Sequence, residues 1–486
     1  MSRLSRRTFL AGSAALAAGC WTGLAGSQRA LGANDKIRVA VMGTRVRGRC
    51  HVSALLKQPQ VEIAYVCDVD PAEAAIAAER IERKTKKKPA MVPDIRKILD
   101  DKSIDAIAIA APNHWHSLAA IWACQAGKDV YVEKPISQTV IEGRRLIEAA
   151  TKHGRIVQHG TQNRSNASVR QAIEFIRAGK LGEVKLARAV NYKKRPSIGR
   201  HTMPGEIPAG LDYDLWLGPA AKTELARKNL HYDWHWFWET GSGDIGNQGV
   251  HQIDIALWGL DKRELPQRVA SFGGRLGYDD DGETANTQVA SYDFGDCRLV
   301  CEVRNLPSDP CRAAGAGVLT GNIFYGAKGV IVRDLKDGLC RAYLGSDQPP
   351  IVFAEGEKVD MDTLDQDHFA NFLNAMQSRK TADLRSDALS GHVASALCHL
   401  ANISYRTGQD LPLAERAPAI SKDADLVDAF DRTMAHLADN GVGPEGVRYR
   451  VGRTLEIDTA SETLGDPQAD RLLGRSYRAP FVLPTI

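Results

Sequence analysis

This sequence lacks any excess of charge once its first residues are set aside. It holds 63 Lys and Arg against 59 Asp and Glu. Arg3, Arg6, Arg7 and Arg29 all fall within residues 1–33, where there is no acid. Removing those four leaves 59 basic residues facing 59 acidic ones, so the bulk of the chain offers no electrostatic case for nucleic acid or an anionic membrane surface. The basic run Arg83, Lys84, Lys86, Lys87 and Lys88 before Pro89 reads as the solvated last turn of a helix, where cations suit the dipole. Missing too are a His/Cys cluster with metal-ligand spacing, an internal repeat and a low-complexity linker. The apolar run at 11–19 is too short to span a bilayer. What remains is 43% hydrophobic and 25% charged over 486 residues, the composition of a globular protein with two or more domains.

The N-terminus reads as a targeting segment. Ser5-Arg6-Arg7-Thr8-Phe9-Leu10 ahead of the short apolar run resembles a twin-arginine export signal. The expectation is a signal peptide over 1–33, cleaved near Ala33, and a periplasmic protein. Ala17-Ala18-Gly19-Cys20 is a weak lipoprotein box, since Ala17 stands where Leu is usual. Cys50, Cys67, Cys124, Cys297, Cys301, Cys311, Cys340 and Cys398 lie beyond it and permit bridges in an oxidising compartment without choosing a pairing. Cys67 and Cys124 sit in apolar patterns and read as buried thiols.

From Lys36 to about Gln162 strand and helix patterns alternate. Strands at 37–42, 61–67, 104–110, 130–132 and 156–159 are separated by helical stretches at 49–57, 72–84, 117–126 and 140–153. That alternation predicts an α/β fold with a doubly wound parallel sheet, whose ligands bind at the carboxyl edge. Val130-Tyr131-Val132 delivers Glu133 and Lys134 to that edge, and Pro135 stops the strand. After the first strand comes Gly43-Thr44-Arg45-Val46-Arg47-Gly48. Gly43 and Gly48 match the first and third glycines of the dinucleotide fingerprint. Arg45 replaces the second, the one that lets backbone approach a pyrophosphate. Arg45 either places a guanidinium on phosphate or displaces the ligand. Asp68 ends the second strand, where an acid suits the ribose hydroxyls of NAD and repels the 2′-phosphate of NADP. The other reading of Asp68 and Asp70 is a cap for the helix after Pro71.

Four blocks carry a resemblance: Ala111-Pro112-Asn113-His114-Trp115-His116, Ala126-Gly127-Lys128, Glu133-Lys134-Pro135 and Gly160-Thr161-Gln162-Asn163-Arg164. Together they resemble the Gfo/Idh/MocA oxidoreductase family, over about residues 36–410. The resemblance implies an N-terminal Rossmann domain followed by an α/β domain built on a large open, mostly antiparallel sheet. It implies NAD(P) lying over Gly43, Asp68, Pro112, Asn113, His116 and Glu133, with Lys134 reaching the substrate hydroxyl. A homo-oligomer through the open sheet is expected with it. An exported nicotinamide protein has no cytoplasmic pool to reload it, so it should hold its cofactor tightly.

The second half reads as antiparallel strands at 184–192, 268–276, 286–294, 298–304, 318–325 and 329–333, by alternation of apolar and polar residues. Helices are expected at 367–379 and 388–406. The intervening 206–238 is rich in Trp, His and Asp; Trp234 and its neighbours either face a sugar ring or bury an irregular loop. At 244–260 an apolar helical stripe leaves Asn247, His251 and Asp254 on one face, with Asp244 as a candidate N-cap. The resemblance makes His251 the catalytic histidine, and Asn247 stands where the family often has Asp. The expected division is a signal peptide at 1–33, a Rossmann domain at 34–163, a substrate domain at 164–414 and an extension at 415–486 lying over the fold as a strap. Candidate catalytic residues are Lys134 and His251, with Arg45 and Gly48 added to the cofactor set and Arg164, Trp234, Asn247 and Asp254 facing a small carbohydrate substrate. The expected activity is NAD-linked oxidation of a sugar, cyclitol or glycoside hydroxyl. The alternatives are redox-neutral glycoside cleavage through a 3-keto intermediate, and non-catalytic sugar sensing.

Overall fold

The computed structural model describes residues 36–201, 205–345, 348–356 and 359–486; the expected signal peptide and Cys20 lie outside them. The first sheet takes β1 (Ile37–Met42), β2 (Val61–Cys67), β3 (Ala90–Val92), β4 (Ala106–Ile109), β5 (Asp129–Val132) and β6 (Val157–His159) in the order β3-β2-β1-β4-β5-β6. All its neighbours are parallel. Its crossovers are α1 (Val46–Leu56), α2 (Pro71–Thr85), α3 (Asn113–Gln125) and α4 (Val140–Lys152). β4 and β5 are buried at every position, as strands covered on both faces must be. β3 escaped the sequence reading because it has three residues, none of them buried.

The second sheet has eleven strands. β7 (Val184–Asn191) leads to α5 (Val250–Gly259), then β8 (Arg268–Gly274), β9 (Thr287–Asp293), β10 (Arg298–Arg304), β13 (Thr320–Gly326), β14 (Gly329–Asp334), β15 (Cys340–Tyr343) and β16 (Ile351–Val352). β11 (Cys311–Ala313) and β12 (Ala316–Val318) form a separate hairpin. β7 and β10 run parallel, whereas the other pairings are antiparallel. One face carries α5 and α7 (Ala388–Arg406), which pack on Ala187, Ala290, Leu299 and Phe324. An earlier helix, α6 (Met361–Ser378), does something the sequence division hides. Its Phe369 stacks on Tyr131 of β5 at 4.0 Å, and Phe372, Leu373 and Met376 join Val39 and Val41 in one core. The chain therefore returns after residue 163 to cover the first sheet.

The extension is no simple strap. β18 (Arg448–Val451) joins the large sheet between β8 and β17 (Gln409–Pro412), and β19 (Leu455–Glu456) pairs with β8. α8 (Ala424–Asp439) packs Leu426, Phe430 and Leu437 on Phe272, Val289 and Val300. Those strand positions alternate with the ones under α5, so α8 covers the opposite face. The β11/β12 hairpin covers more of it, over Val190, Ile323 and Val332. Part of the apolar face expected to seat a second copy is thus covered by the chain itself. Glu302 beneath α8 accepts from Arg188, Tyr192 and Arg432; burial would raise its pKa, and the arginines hold it at about 2. The last residues then cross to the first domain. Leu473 O accepts from Ile141 N at 2.9 Å, and Phe481 lies edge-on to Trp115, with centroids 5.4 Å apart.

Candidate active site

A cavity of about 270 Å³ lies between the carboxyl edge of the parallel sheet and the segment 205–244. At one end is the turn after β1. Gly43 has φ +78°, and a Cβ there would stand 2.6 Å from Ala111 N, so only glycine fits this conformation and this approach. A Cβ on Gly48 would reach 1.8 Å from Gly43 O, which is why the helix can start so close behind. Asp68 faces the same turn: its Oδ2 accepts from Thr44 N at 2.7 Å and Thr44 Oγ1 at 3.0 Å, and its Oδ1 from Asp70 N at 3.0 Å. Asp70, not Asp68, caps α2 through Ala72 N. Burial raises the Asp68 pKa against those hydrogen bonds.

The two arginines of the turn part company. Arg45 lines the cavity with its side chain 40% exposed and its Nε 3.3 Å from Glu73 Oε1. Arg47 turns inward, donating from Nε to Glu133 Oε1 at 2.6 Å and from both terminal nitrogens to Asp365 of α6. It is therefore committed to protein carboxylates. His51 Nε2 stands 3.0 Å from the same Glu133 oxygen. Burial would raise the Glu133 pKa, but Arg47, His51 and Lys134 hold it well below its usual range. Pro112, Asn113 and His116 also line the cavity. The His116 ring nitrogens face Pro135 O at 2.6 Å and Ala111 O at 2.7 Å, tying two of the sequence blocks together.

At the other end stands Lys134. Its Nζ donates to Asn247 O at 2.5 Å and Asn247 Oδ1 at 3.2 Å. Burial lowers its pKa to about 8, with Glu133 opposing and the Arg47 and Arg195 charges assisting. Asn247 belongs to a π-helical turn, Ile245–Gly249, that precedes α5; such turns recur at functional sites. Asp244 does not cap it. His251, on the first turn of α5, is buried with no partner for Nδ1. Burial first, then the Lys134 charge, pushes its pKa well below 6.5, so the ring is neutral at neutral pH. It sits behind the cavity wall, which ends at Lys134 and Asn247.

Arg164 and Asp254 do not reach the cavity, which corrects their assignment to substrate. Arg164 donates from Nε and Nη2 to Asp254 at 2.8–3.0 Å, and Asp254 is fully buried. Trp234 does line it, stacked on His235 with centroids 3.6 Å apart, while also packing in a core with Leu211, Trp216 and Leu230. The tryptophan thus buries the irregular loop, and one edge of it stands on the cavity wall. Tyr232 and His235 share the wall and were not singled out from the sequence, where the aromatic signal drew attention to the tryptophans alone. Burial drives the His235 pKa to about 3.

Comparison with known proteins accounts for this arrangement. Residues 37–161 match the model described as oxidoreductase family, NAD-binding Rossmann fold, and 166–333 match its C-terminal alpha/beta domain. The chain belongs to the Gfo/Idh/MocA oxidoreductase family. It is 26% identical over 275 residues to an inositol 2-dehydrogenase/D-chiro-inositol 3-dehydrogenase of Lacticaseibacillus casei, covering 53% of this chain and 74% of that one. It is 29% identical over 157 residues to an alpha-N-acetylgalactosaminidase of Shewanella oneidensis, covering 31% and 34%. Among solved structures, levoglucosan dehydrogenase with NADH aligns with a TM-score of 0.56 at 16% identity, covering 76% of this chain and 97% of that one. The WlbA dehydrogenase of Bordetella pertussis, with NADH and UDP-GlcNAcA, aligns with a TM-score of 0.52 at 20% identity, covering 74% and 94%. The first domain is thus an NAD-binding Rossmann domain in an enzyme family of sugar and polyol oxidoreductases.

Proposed function

We propose that the protein is an exported oxidoreductase that moves a hydride between a sugar, cyclitol or glycoside carbon and a tightly held NAD. One observation carries the reading: a single cavity joins the Gly43 turn and Asp68 to the Lys134–Asn247 pair. The residues fit the cofactor. Gly43 makes the tight turn against the Ala110–Ala111 backbone, the locked Asp68 carboxylate meets ribose hydroxyls and repels a 2′-phosphate, and Arg45 stands at the rim, where its guanidinium can meet phosphate. When bound, NAD supplies the hydride acceptor and, in reverse, the donor. Lys134, protonated below about pH 8, donates to the reacting oxygen. His251 lies one turn beyond Asn247 and outside the cavity lining of the unliganded chain; on this reading its neutral imidazole comes within hydrogen-bond reach of the substrate hydroxyl in the loaded complex and takes that proton as the carbon loses hydride and the C–O bond becomes C=O. A neutral ring and a charged lysine assign the base and the polarising acid without competition.

Support for retention comes from the tail. Arg478 donates to Asp214 Oδ1 at 3.0 Å and Ala220 O at 3.1 Å, and Arg475 to Glu239 at 2.9 Å. Those contacts fasten the covering segment, and the paired Arg6-Arg7 motif argues for export of the folded, loaded protein. Redox-neutral glycoside cleavage is the second reading, favoured by the galactosaminidase relative. The test is to denature the purified protein and identify the released nucleotide. NAD or NADH near one per chain is expected; nucleotide-free protein, or NADP without preference, overturns the reading.

A further inference from the structure

Lys134 meets two oxygens of one residue, and the reason lies a step further back. An asparagine amide can turn either end towards a neighbour. Here Asn247 Nδ2 donates to Asp244 Oδ1 at 3.1 Å, which leaves Oδ1 for Lys134. Asp244 is fully buried and is held from three other sides. Its Oδ2 accepts from Asn191 Nδ2 at 3.0 Å and Asn305 Nδ2 at 2.8 Å, and its Oδ1 from Arg195 Nη2 at 3.0 Å. Asn191 ends β7 and Asn305 follows β10. These are the carboxyl ends of the parallel pair in the large sheet, a rigid place to anchor a charge. Arg195 in turn donates from Nη1 to Tyr232 OH at 2.7 Å, and Tyr232 is on the cavity wall.

We propose that Asp244 is the positioning residue of this site: it orients the Asn247 amide towards Lys134 and, through Arg195, ties that lysine to the covering segment. Asp244 itself does not line the cavity, so its effect passes through Asn247 and Arg195. A buried carboxylate that accepts from four side chains holds a single geometry, and misplacing a reacting group by about 1 Å costs on the order of 100-fold in rate. The inference rests on the oxidoreductase reading for its consequence in turnover, but not for its consequence at the lysine. The Asp244 charge favours the protonated lysine and the Arg195 charge opposes it. Removing Asp244's charge also frees Arg195, so both changes act in one direction.

The test reads Lys134 directly. Acylation of Lys134 by an amine-directed reagent is followed against pH by peptide mass spectrometry in wild type, Asp244→Asn, Asp244→Glu and Asn247→Ala. The Asp244→Asn midpoint is expected below the wild-type value near 8, with turnover down roughly tenfold to a hundredfold, substrate KM within about threefold, and nucleotide content retained. Asp244→Glu, which keeps the charge, should restore much of both. Should Asp244→Asn fail to fold, Asn247→Ala leaves the other three partners of Asp244 in place and must still lower turnover. An unmoved midpoint in folded Asp244→Asn, or wild-type turnover in Asn247→Ala, overturns the proposal. Because acylation needs no substrate, its outcome stands even if the sugar oxidoreductase reading fails.

Discussion

The two ends of the cavity are built on different principles. At the Gly43 end backbone N–H groups and the Thr44 hydroxyl donate to the Asp68 carboxylate, all within one β-α-β unit, with Thr44 N and Asp68 24 positions apart in sequence. At the Lys134 end the partners are 113 positions apart, and a further ring of side chains from the large sheet holds them. The first end is fixed by turn geometry and tolerates few substitutions for steric reasons. The second is fixed by charge and hydrogen bonding, so it can be altered without emptying the first.

Substitutions at the two ends should therefore have separable effects. The largest is expected at the far end: Lys134→Ala should lower turnover by roughly 10²–10⁴-fold, with NAD still recovered on denaturation. Loss of the bound nucleotide in that variant would merge the two ends. In the proposed mechanism the same lysine sets the alkaline limit, because its charged form would do the polarising. Activity should fall as pH rises through about 8, and Lys134→Arg, if it turns over at all, should carry activity past that pH. A pH profile flat to pH 10 in wild type would remove the ammonium from the step.

Smaller effects belong to the near end. Asp68→Ala should narrow the preference for NAD over NADP by roughly tenfold to a hundredfold, read as dissociation constants of stripped protein. Arg45→Gly restores the glycine pattern yet should weaken NAD binding by about tenfold, the lower range for a charge-assisted hydrogen bond. The reduction reflects the exposure of Arg45 and its sharing with Glu73. Equal or tighter binding by calorimetry would show that Arg45 makes no phosphate contact. The smallest change is Phe481→Ala, which loosens the tail against Trp115; cofactor release should quicken by a few-fold, as a lost aromatic contact of about 1 kcal/mol allows. Unchanged release kinetics would separate the tail from retention.

Much of this was legible in the chain itself. The strands β1 and β2 fall where their apolar runs put them, and α7 spans the residues its periodicity marks. The Gly43 turn, Asp68 and the delivery of Glu133 and Lys134 to one edge follow from local pattern. The π turn was not legible, since 245–249 shows the same spacing of apolar residues as an α-helix, and Asp244 looked like a cap. β15 to β19 were too short to show alternation clearly. The covering of the large sheet by α8 depended on a helix that no motif announced.

The sequence by itself determined the two-domain α/β plan, the turn after β1 and the arrival of Lys134 at the sheet edge, because strand periodicity, turn chemistry and motif spacing are properties of neighbouring residues. Only the tertiary structure decided how the charges pair. Arg45 and Arg47 lie two positions apart, yet Arg47 goes to Asp365, 318 positions away, and Arg45 stays at the rim. Arg164 and Asp254 are spent on each other, while Asp244 becomes the anchor of Asn247. Burial makes an unpaired charge costly, so pairing follows whichever surfaces the packed sheets and helices bring together.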